Sequence, residues 1–261
     1  MGARISSGFT IIETMLFLAV TGLLVLGALV GTGTALSNQR YRDAVETFKN
    51  LVQSQYSELG SVKNARTDAW SCGATAKPAE GNEYRGQTNC LIVGRYMTIR
   101  DGDVEIFNVL AHKNAAATTT SPDIAVLRNN YTYNVADGVE QRTLEWGTKI
   151  AWTASGEDAK TPRTPRTIGI LFMRSPDSGR VYTFTSDAVA TDRAAINNAT
   201  FRNMIVDATS VPGQGQRTIC VESSGGIMGG DRSVFIGARA STASAVEVRS
   251  NELAAAGATK C

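Results

Sequence analysis

The sequence has very little of the chemistry that marks an enzyme, because it contains a single histidine, His112, in an Ala- and Thr-rich stretch that is expected to be a loop. A Ser-His-Asp or Cys-His site would have to use that residue. No Gly-x-Ser-x-Gly motif occurs, and the glycine-rich run at 225–230 lacks the lysine of a phosphate-binding loop. We therefore expect a non-enzymatic protein with no catalytic residues.

Metal and cofactor motifs are lacking as well. The Asp101-Gly102-Asp103 turn offers two carboxylates, which are too few for a calcium site. A net charge of +2 is too small to indicate nucleic acid, a membrane surface or an acidic partner. We expect no metal and no cofactor.

Cysteines are few, at Cys72, Cys90, Cys220 and Cys261, and none forms a Cys-x-x-Cys pair of the kind found in zinc or redox sites. An even number suits two disulfides in an oxidising compartment. Three pairings are possible, and we favour the two local ones, Cys72–Cys90 and Cys220–Cys261. The alternative is four reduced cysteines in a cytosolic domain.

Charge is missing altogether between Glu13 and Arg40, a stretch of 26 residues. As a helix it would be about 39 Å long, and about 20 residues are enough to cross a bilayer. Three interpretations compete. The stretch is a signal peptide cleaved near Gly33-Thr34-Ala35, a plain membrane anchor, or a segment cut on its N-terminal side and kept in the mature protein.

Glu13 distinguishes these interpretations, because neither a signal peptide nor an ordinary anchor needs an acid at the start of its apolar run. A carboxylate deeper in the bilayer costs roughly 2.5–3.5 kcal/mol, and such residues are usually paired and functional. The simpler alternative is that Glu13 marks the membrane boundary.

The string GFTIIE at residues 8–13 closely resembles the cleavage and methylation site of type IV prepilins and pseudopilins. The resemblance covers about residues 1–60, including a short leader with one basic residue. It implies that a prepilin peptidase cuts after Gly8, that Phe9 becomes the N-methylated N-terminus, and that Glu13 acts in subunit assembly.

The resemblance of the N-terminal segment and the strand-rich pattern of the rest of the chain together predict an organisation. Residues 1–8 would be a removed leader, 9–60 a helix that is first transmembrane and then amphipathic, and 61–261 a β-rich globular domain. The fold class would be α+β, with the long helix packed on an antiparallel sheet. The precursor would lie in the inner membrane with a single pass and the globular domain outside, before joining an extracellular pilus or pseudopilus.

The second half of this helix is predicted from its periodicity. Apolar residues recur at i, i+3, i+4 and i+7, at Tyr41, Ala44, Val45, Phe48, Leu51, Val52, Tyr56 and Leu59. We expect one helix from Phe9 to about Leu59, ended by Gly60. In its apolar half, Gly27 and Gly31 have the G-x-x-x-G spacing that lets membrane helices approach closely. The helix lacks the central proline of many major pilins, which favours a minor or atypical subunit.

The rest of the chain is rich in segments with a strand-like pattern. We predict a hairpin around Asp101-Gly102-Asp103, with strands at 90–100 and 103–110, and a second hairpin at 167–187 around Pro176–Gly179. Further strands are expected at 124–135, 142–154, 217–223 and 233–250. Segments 111–123 and 156–167 are expected to be loops. The second loop contains Lys160, Arg163 and Arg166, which a nucleic acid could contact, although a solvated loop is the better interpretation.

The sequence thus predicts a structural subunit, minor or atypical, of a type IV pilus. Its partners would be other pilin subunits, the prepilin peptidase, the pilus assembly platform and the membrane. One alternative is a type II secretion pseudopilin. Another is a membrane-anchored or secreted binding domain or hydrolase in which GFTIIE occurs by chance.

Overall fold

The computed structural model of the chain describes residues 10–60, 71–79, 81, 83–84, 87–115, 122–153, 164–190, 192–206, 216–223, 232–250 and 261. The predicted leader, Gly8, Phe9, Lys160, Arg163 and the glycine-rich run at 225–230 lie outside these residues.

One long helix, α1 (Ile11–Gly60), forms the N-terminal part of the described chain. Its 50 residues give it a length of about 75 Å. The helix continues without a break through the glycine-containing stretch between Gly22 and Gly33. It begins two residues after the predicted start at Phe9, and it ends at Gly60 where the sequence places a helix stop.

A five-stranded antiparallel sheet is the larger β element. It consists of β3 (Cys90–Arg100), β4 (Asp103–Lys113), β5 (Tyr131–Thr143), β7 (Thr167–Arg174) and β8 (Val181–Ser186), in the order β5-β4-β3-β7-β8. The predicted hairpin around Gly102 joins β3 to β4, and Gly102 takes a φ of 143°, which glycine adopts without steric cost.

A four-stranded antiparallel sheet is formed mainly by strands that follow the larger sheet in sequence. Its order is β11-β10-β9-β6, built from β6 (Lys149–Ala151), β9 (Arg217–Glu222), β10 (Arg232–Ile236) and β11 (Val246–Ser250). A two-stranded ribbon joins β1 (Ser71–Cys72) to β2 (Pro78–Ala79), and two short helices, α2 (Asp123–Asn130) and α3 (Asn198–Met204), complete the fold. The fold class is α+β, as predicted.

Side-chain alternation in the five-stranded sheet separates two apolar cores. On one face, Met97 and Ile99 of β3 belong to a core that also includes Phe48 of α1 and Val221 of the four-stranded sheet. On the other face, Tyr96 packs in a second core with α2 and α3. The C-terminal half of α1 therefore contacts both sheets, while the two short helices cover the far side of the larger one.

Several predicted elements differ from the structure. Residues 123–130 are helical rather than part of a strand at 124–135. The predicted strand at 142–154 is divided: its first two residues are the end of β5, and Lys149–Ala151 forms β6. His112 lies in β4, paired across from Cys90, and not in a loop. The single predicted sheet is in fact two large sheets and a ribbon.

The reason for the helix at 123–130 is tertiary. Its β-branched residues favour a strand locally, but β propensity depends strongly on packing context. Val126 and Leu127 are buried in the second core, and Pro122 precedes the first turn. Packing against β5 thus outweighs the local preference.

Candidate assembly surface

The N-terminal half of α1 presents a long apolar surface. Every residue from Ile11 to Arg40 is exposed, except Thr21 and Thr34, which are half-buried. In the described chain, α1 is the one helix long and apolar enough to cross a membrane, judged by length and composition, and its most apolar window is entirely unburied. Because large contiguous apolar patches are rare on monomers, this surface is a candidate interaction site.

Glu13 is the acidic residue in the first turn of α1. Its backbone N–H donates to the carbonyl of Thr10 at 3.1 Å and to the Thr10 hydroxyl at 3.3 Å. Its carboxylate is exposed and has no ion-pair partner among the described residues. The N-terminal end of a helix carries partial positive charge, so a carboxylate is well placed there.

Glycines form part of the same helix face as Glu13. Gly31 follows Glu13 by about five helical turns, so the two residues point in the same direction, and Gly27 lies one turn before Gly31. A Cβ atom built on either glycine would meet no atom within 4 Å. This face is therefore open in the single chain, and its residues are small enough for another helix to approach closely.

The threonine hydroxyls of the apolar half are satisfied within the helix. Thr21 donates to the Phe17 carbonyl at 2.8 Å, and Thr32 donates to the Ala28 carbonyl at 2.9 Å. Since an unsatisfied polar group is costly in an apolar environment, these internal bonds let the hydroxyls enter one. The threonine side chains of this half therefore do not oppose burial in lipid or among other helices.

No family model matches this chain. Comparison with curated proteins and with solved structures also gave no match. The assignment of a function therefore depends on the residues and on the geometry of α1.

The C-terminal half of α1 is fixed to the globular part by buried side chains, at Tyr41, Ala44, Val45, Phe48, Val52, Gln55 and Leu59. All the apolar residues in this set belong to the predicted apolar face. The sequence did not point to Gln53, whose amide donates to the carbonyls of Ala243 and Val246 at 3.1 and 2.9 Å. A glutamine on a helix normally reads as solvent-facing, so no sequence signal identifies this contact.

An ion-pair group also ties α1 to the larger sheet. The Arg95 guanidinium of β3 lies 3.1 Å from the Glu58 carboxylate of α1 and 2.8 Å from the Glu140 carboxylate of β5. Burial alone would raise the pKa of Glu140, but hydrogen bonds from Arg142 and Arg95 outweigh it and lower that pKa. The Arg95 guanidinium thus links α1, β3 and β5 through its contacts with the two carboxylates.

The four cysteines form two disulfides. Cys72 is joined to Cys90 with Cα atoms 5.6 Å apart, and Cys220 is joined to Cys261 with Cα atoms 5.5 Å apart. These are the two local pairings among the three that the sequence allows. Both bonds lie outside α1, so neither links the helix covalently to the sheets.

Arg166 and Asp101, two further candidates for chemistry, are engaged in structural contacts. Arg166 is only 4% exposed and its guanidinium lies 2.7 Å from the Asp187 carboxylate, so it is not available as a surface contact for nucleic acid. The Asp101 carboxylate accepts a hydrogen bond from Lys149 at 2.8 Å. No group of three or more potential metal-ligating side chains occurs in the described part of the chain.

Proposed function

We propose that this chain is a structural subunit, minor or atypical, of a type IV pilus-like filament that polymerises through α1. In this proposal the precursor spans the inner membrane once, prepilin peptidase removes residues 1–8, and Phe9 is methylated. The globular part would face outward and be carried into the fibre by its helix.

One observation carries the proposal: the apolar half of α1 is exposed along its length, while the other half is packed on two sheets without a break in the helix. The exposed apolar half of α1 needs an apolar environment outside its own chain, which lipid supplies before assembly and neighbouring helices supply afterwards. A secreted domain has no use for an exposed rod of this length.

Glu13 gives the proposed polymer its order. The new amine at Phe9 keeps its positive charge when methylated. Attraction between unlike charges grows as the dielectric constant falls, so the Glu13 carboxylate and the amine of an adjacent subunit would favour contact among apolar helices. The open face around Gly27 and Gly31 would let the helices pack closely there.

A type II secretion pseudopilin would use the same surface, and differs in the machine that it serves. The two functions are separated by deletion of the gene: loss of surface fibres supports the pilus, whereas loss of a secreted activity with fibres retained supports the pseudopilus.

N-terminal sequencing of the protein isolated from its own membranes tests the proposal. We expect the mature chain to begin at methylated Phe9. Retention of Met1 would instead indicate a plain anchor, and a start near Leu36 would indicate a secreted domain. Either result overturns the filament proposal.

Two glycines in the predicted leader allow a matched control. The Gly8→Val variant should keep its leader, because the branched side chain occupies the position before the predicted cut. The Gly2→Val variant carries the same change farther away and should be processed normally. Normal processing of both variants would contradict the predicted cleavage site.

A further inference from the structure

Trp146 is a large apolar residue that the assembly surface does not explain. It lies in the 3₁₀ turn Glu145–Gly147, between β5 and β6, and its side chain is 55% exposed. The central carbon of the Arg40 guanidinium lies 4.9 Å from the centre of its indole ring. Arg40 is the first charged residue after the uncharged stretch of α1, so Trp146 stands where the apolar half of the helix ends.

The turn holds this indole outward at some cost. Trp146 has φ 56° and ψ 26°, a left-handed conformation that is sterically unfavourable for a non-glycine residue. Glycine would take the same conformation without that cost. Strain of this kind persists where the surroundings enforce it, and it clusters at functional sites.

The surroundings of the turn are well defined. The Thr148 hydroxyl donates to the Glu145 carbonyl at 2.8 Å, and the Thr47 hydroxyl of α1 donates to the Glu145 carboxylate at 3.3 Å. The second bond connects the turn to α1 at Thr47, and Arg40 of the same helix stacks on the indole. The indole is therefore held at a fixed height along α1.

That height can be compared with a bilayer. Glu13 and Arg40 are about 40 Å apart along the helix, whereas the hydrocarbon core is about 30 Å thick and the bilayer with headgroups about 40–45 Å. If Glu13 lies near one boundary of the bilayer, Arg40 and Trp146 lie at the headgroup level of the other. Tryptophan is enriched at that level, and arginine stems reach along apolar surface to place their charge there.

We propose that Trp146 and Arg40 form an interfacial anchor that enters the phospholipid headgroup layer of the membrane holding the precursor. The indole would lie among the headgroups, and the guanidinium would contact lipid phosphate. This proposal rests on the proposed function, because it needs α1 to span the bilayer.

The anchor would fix more than the depth of the protein in the bilayer. A single helix can rotate about its own axis in a bilayer, but Trp146 belongs to the globular part and contacts the membrane beside the helix. Two contacts fix both the depth of the domain and its rotation. The precursor would thereby present a defined face to the assembly machinery.

The chain supplies a matched control in Trp152. It is 41% exposed and also stacks on an arginine, with the Arg166 guanidinium 4.6 Å from its ring centre. Arg166, however, is buried and paired with Asp187, so it cannot serve lipid phosphate. Trp146 and Trp152 therefore share exposure and stacking but differ in their relation to α1.

The test uses the full-length precursor reconstituted in phospholipid vesicles whose acyl chains carry bromine close to the headgroups, which quenches nearby tryptophan. All proteins carry Trp70→Phe, so that Trp146 and Trp152 are the tryptophans that report. Wild type at these two positions, Trp146→Phe and Trp152→Phe are compared, and flotation of the vesicles reports insertion independently. We expect all three proteins to float. Trp146→Phe should lose most of the lipid-dependent quenching, and Trp152→Phe should keep it.

Two results would overturn the anchor. If the proteins float but Trp146→Phe is quenched as strongly as wild type, Trp146 does not reach the membrane, and the spanning helix stands. If none of the proteins floats, α1 does not insert, and the proposed function fails together with the anchor.

Discussion

The hydroxyl of Tyr41 donates a hydrogen bond to the backbone carbonyl of Val221 at 2.9 Å, and so joins α1 to β9. The same oxygen lies 3.2 Å from the backbone N–H of Arg232, which donates to it from β10. Tyr41 is the first buried residue of α1. The point at which the helix leaves the globular part is thus fixed by one side chain that contacts two strands.

The Tyr41→Phe variant should be less stable than wild type by about 1–2 kcal/mol, because the ring still fills its site but two strand groups lose a partner. Denaturant unfolding of the full chain in mild detergent measures this difference. Tyr84→Phe is the control, since Tyr84 is 77% exposed and should change stability little. Equal effects of the two variants would argue against the role of the hydroxyl.

The Phe48→Ala variant should cost about 3–5 kcal/mol of unfolding free energy, since Phe48 is 1% exposed in the core shared by both sheets. The same change at Phe17, which is 66% exposed on the same helix, should leave the fold intact. Unfolding curves of both variants make the comparison. A similar loss at Phe17 would mean that the apolar half packs on its own globular part.

Replacing Cys220 and Cys261 with serine should destabilise the fold by about 4 kcal/mol in the chain-entropy model, against about 3 kcal/mol for Cys72 and Cys90. The two bonds close loops with sequence separations of 41 and 18 residues. Thermal unfolding of both double variants ranks the effects. The ranking would be refuted if the Cys72 and Cys90 variant were the less stable of the two.

Asp123 should make stability depend on acid pH. Burial alone would raise the pKa of its carboxyl, but hydrogen bonds from Ser175, Ser178 and Tyr182 outweigh burial and lower that pKa. A lowered pKa in the folded state gives stability that is present above the unfolded pKa and is lost as pH falls through the folded one.

The stability difference between wild type and Asp123→Asn should therefore shrink as the pH is lowered below about 4. Unfolding midpoints measured across the acid range test this. Asp137→Asn is the control, because Asp137 has an 80% exposed side chain that pairs with Arg193 at the surface. A pH-independent difference for Asp123→Asn would show that the charge of Asp123 is not responsible.

The Glu13→Ala variant should insert into membranes but assemble into filaments poorly, because the amine of the neighbouring subunit loses its counter-charge. Glu46→Ala makes the same change on the same helix, outside the apolar half, and should assemble normally. Filament yield by electron microscopy, normalised to membrane-inserted protein, is the measurement. Normal yield from Glu13→Ala would refute the proposed role.

The long helix and the hairpins were accessible from sequence because their signals are local. The absence of charge from Glu13 to Arg40, followed by a periodic apolar face, predicts α1 to within about two residues at each end. Asp101-Gly102-Asp103 and Pro176–Gly179 likewise mark the turns of β3–β4 and β7–β8.

Other features depend on partners that are distant in sequence. The strand β6 belongs to the four-stranded sheet because it pairs with β9, and nothing in the sequence of either strand predicts that pairing. Gln53 bonds to carbonyls of a segment far along the chain. The stacking of Arg40 on Trp146 is of the same kind. Such contacts arise only once the core has brought the segments together.

The packing of α1 against both sheets has a mechanical consequence. A pull along the helix axis would act on the contacts of α1 with both sheets at once, so many side-chain contacts would oppose the separation of the helix from the sheets. Both disulfides reinforce the globular part but not its junction with the helix. Under excessive tension α1 would separate from the sheets, which the two disulfides would still cross-link.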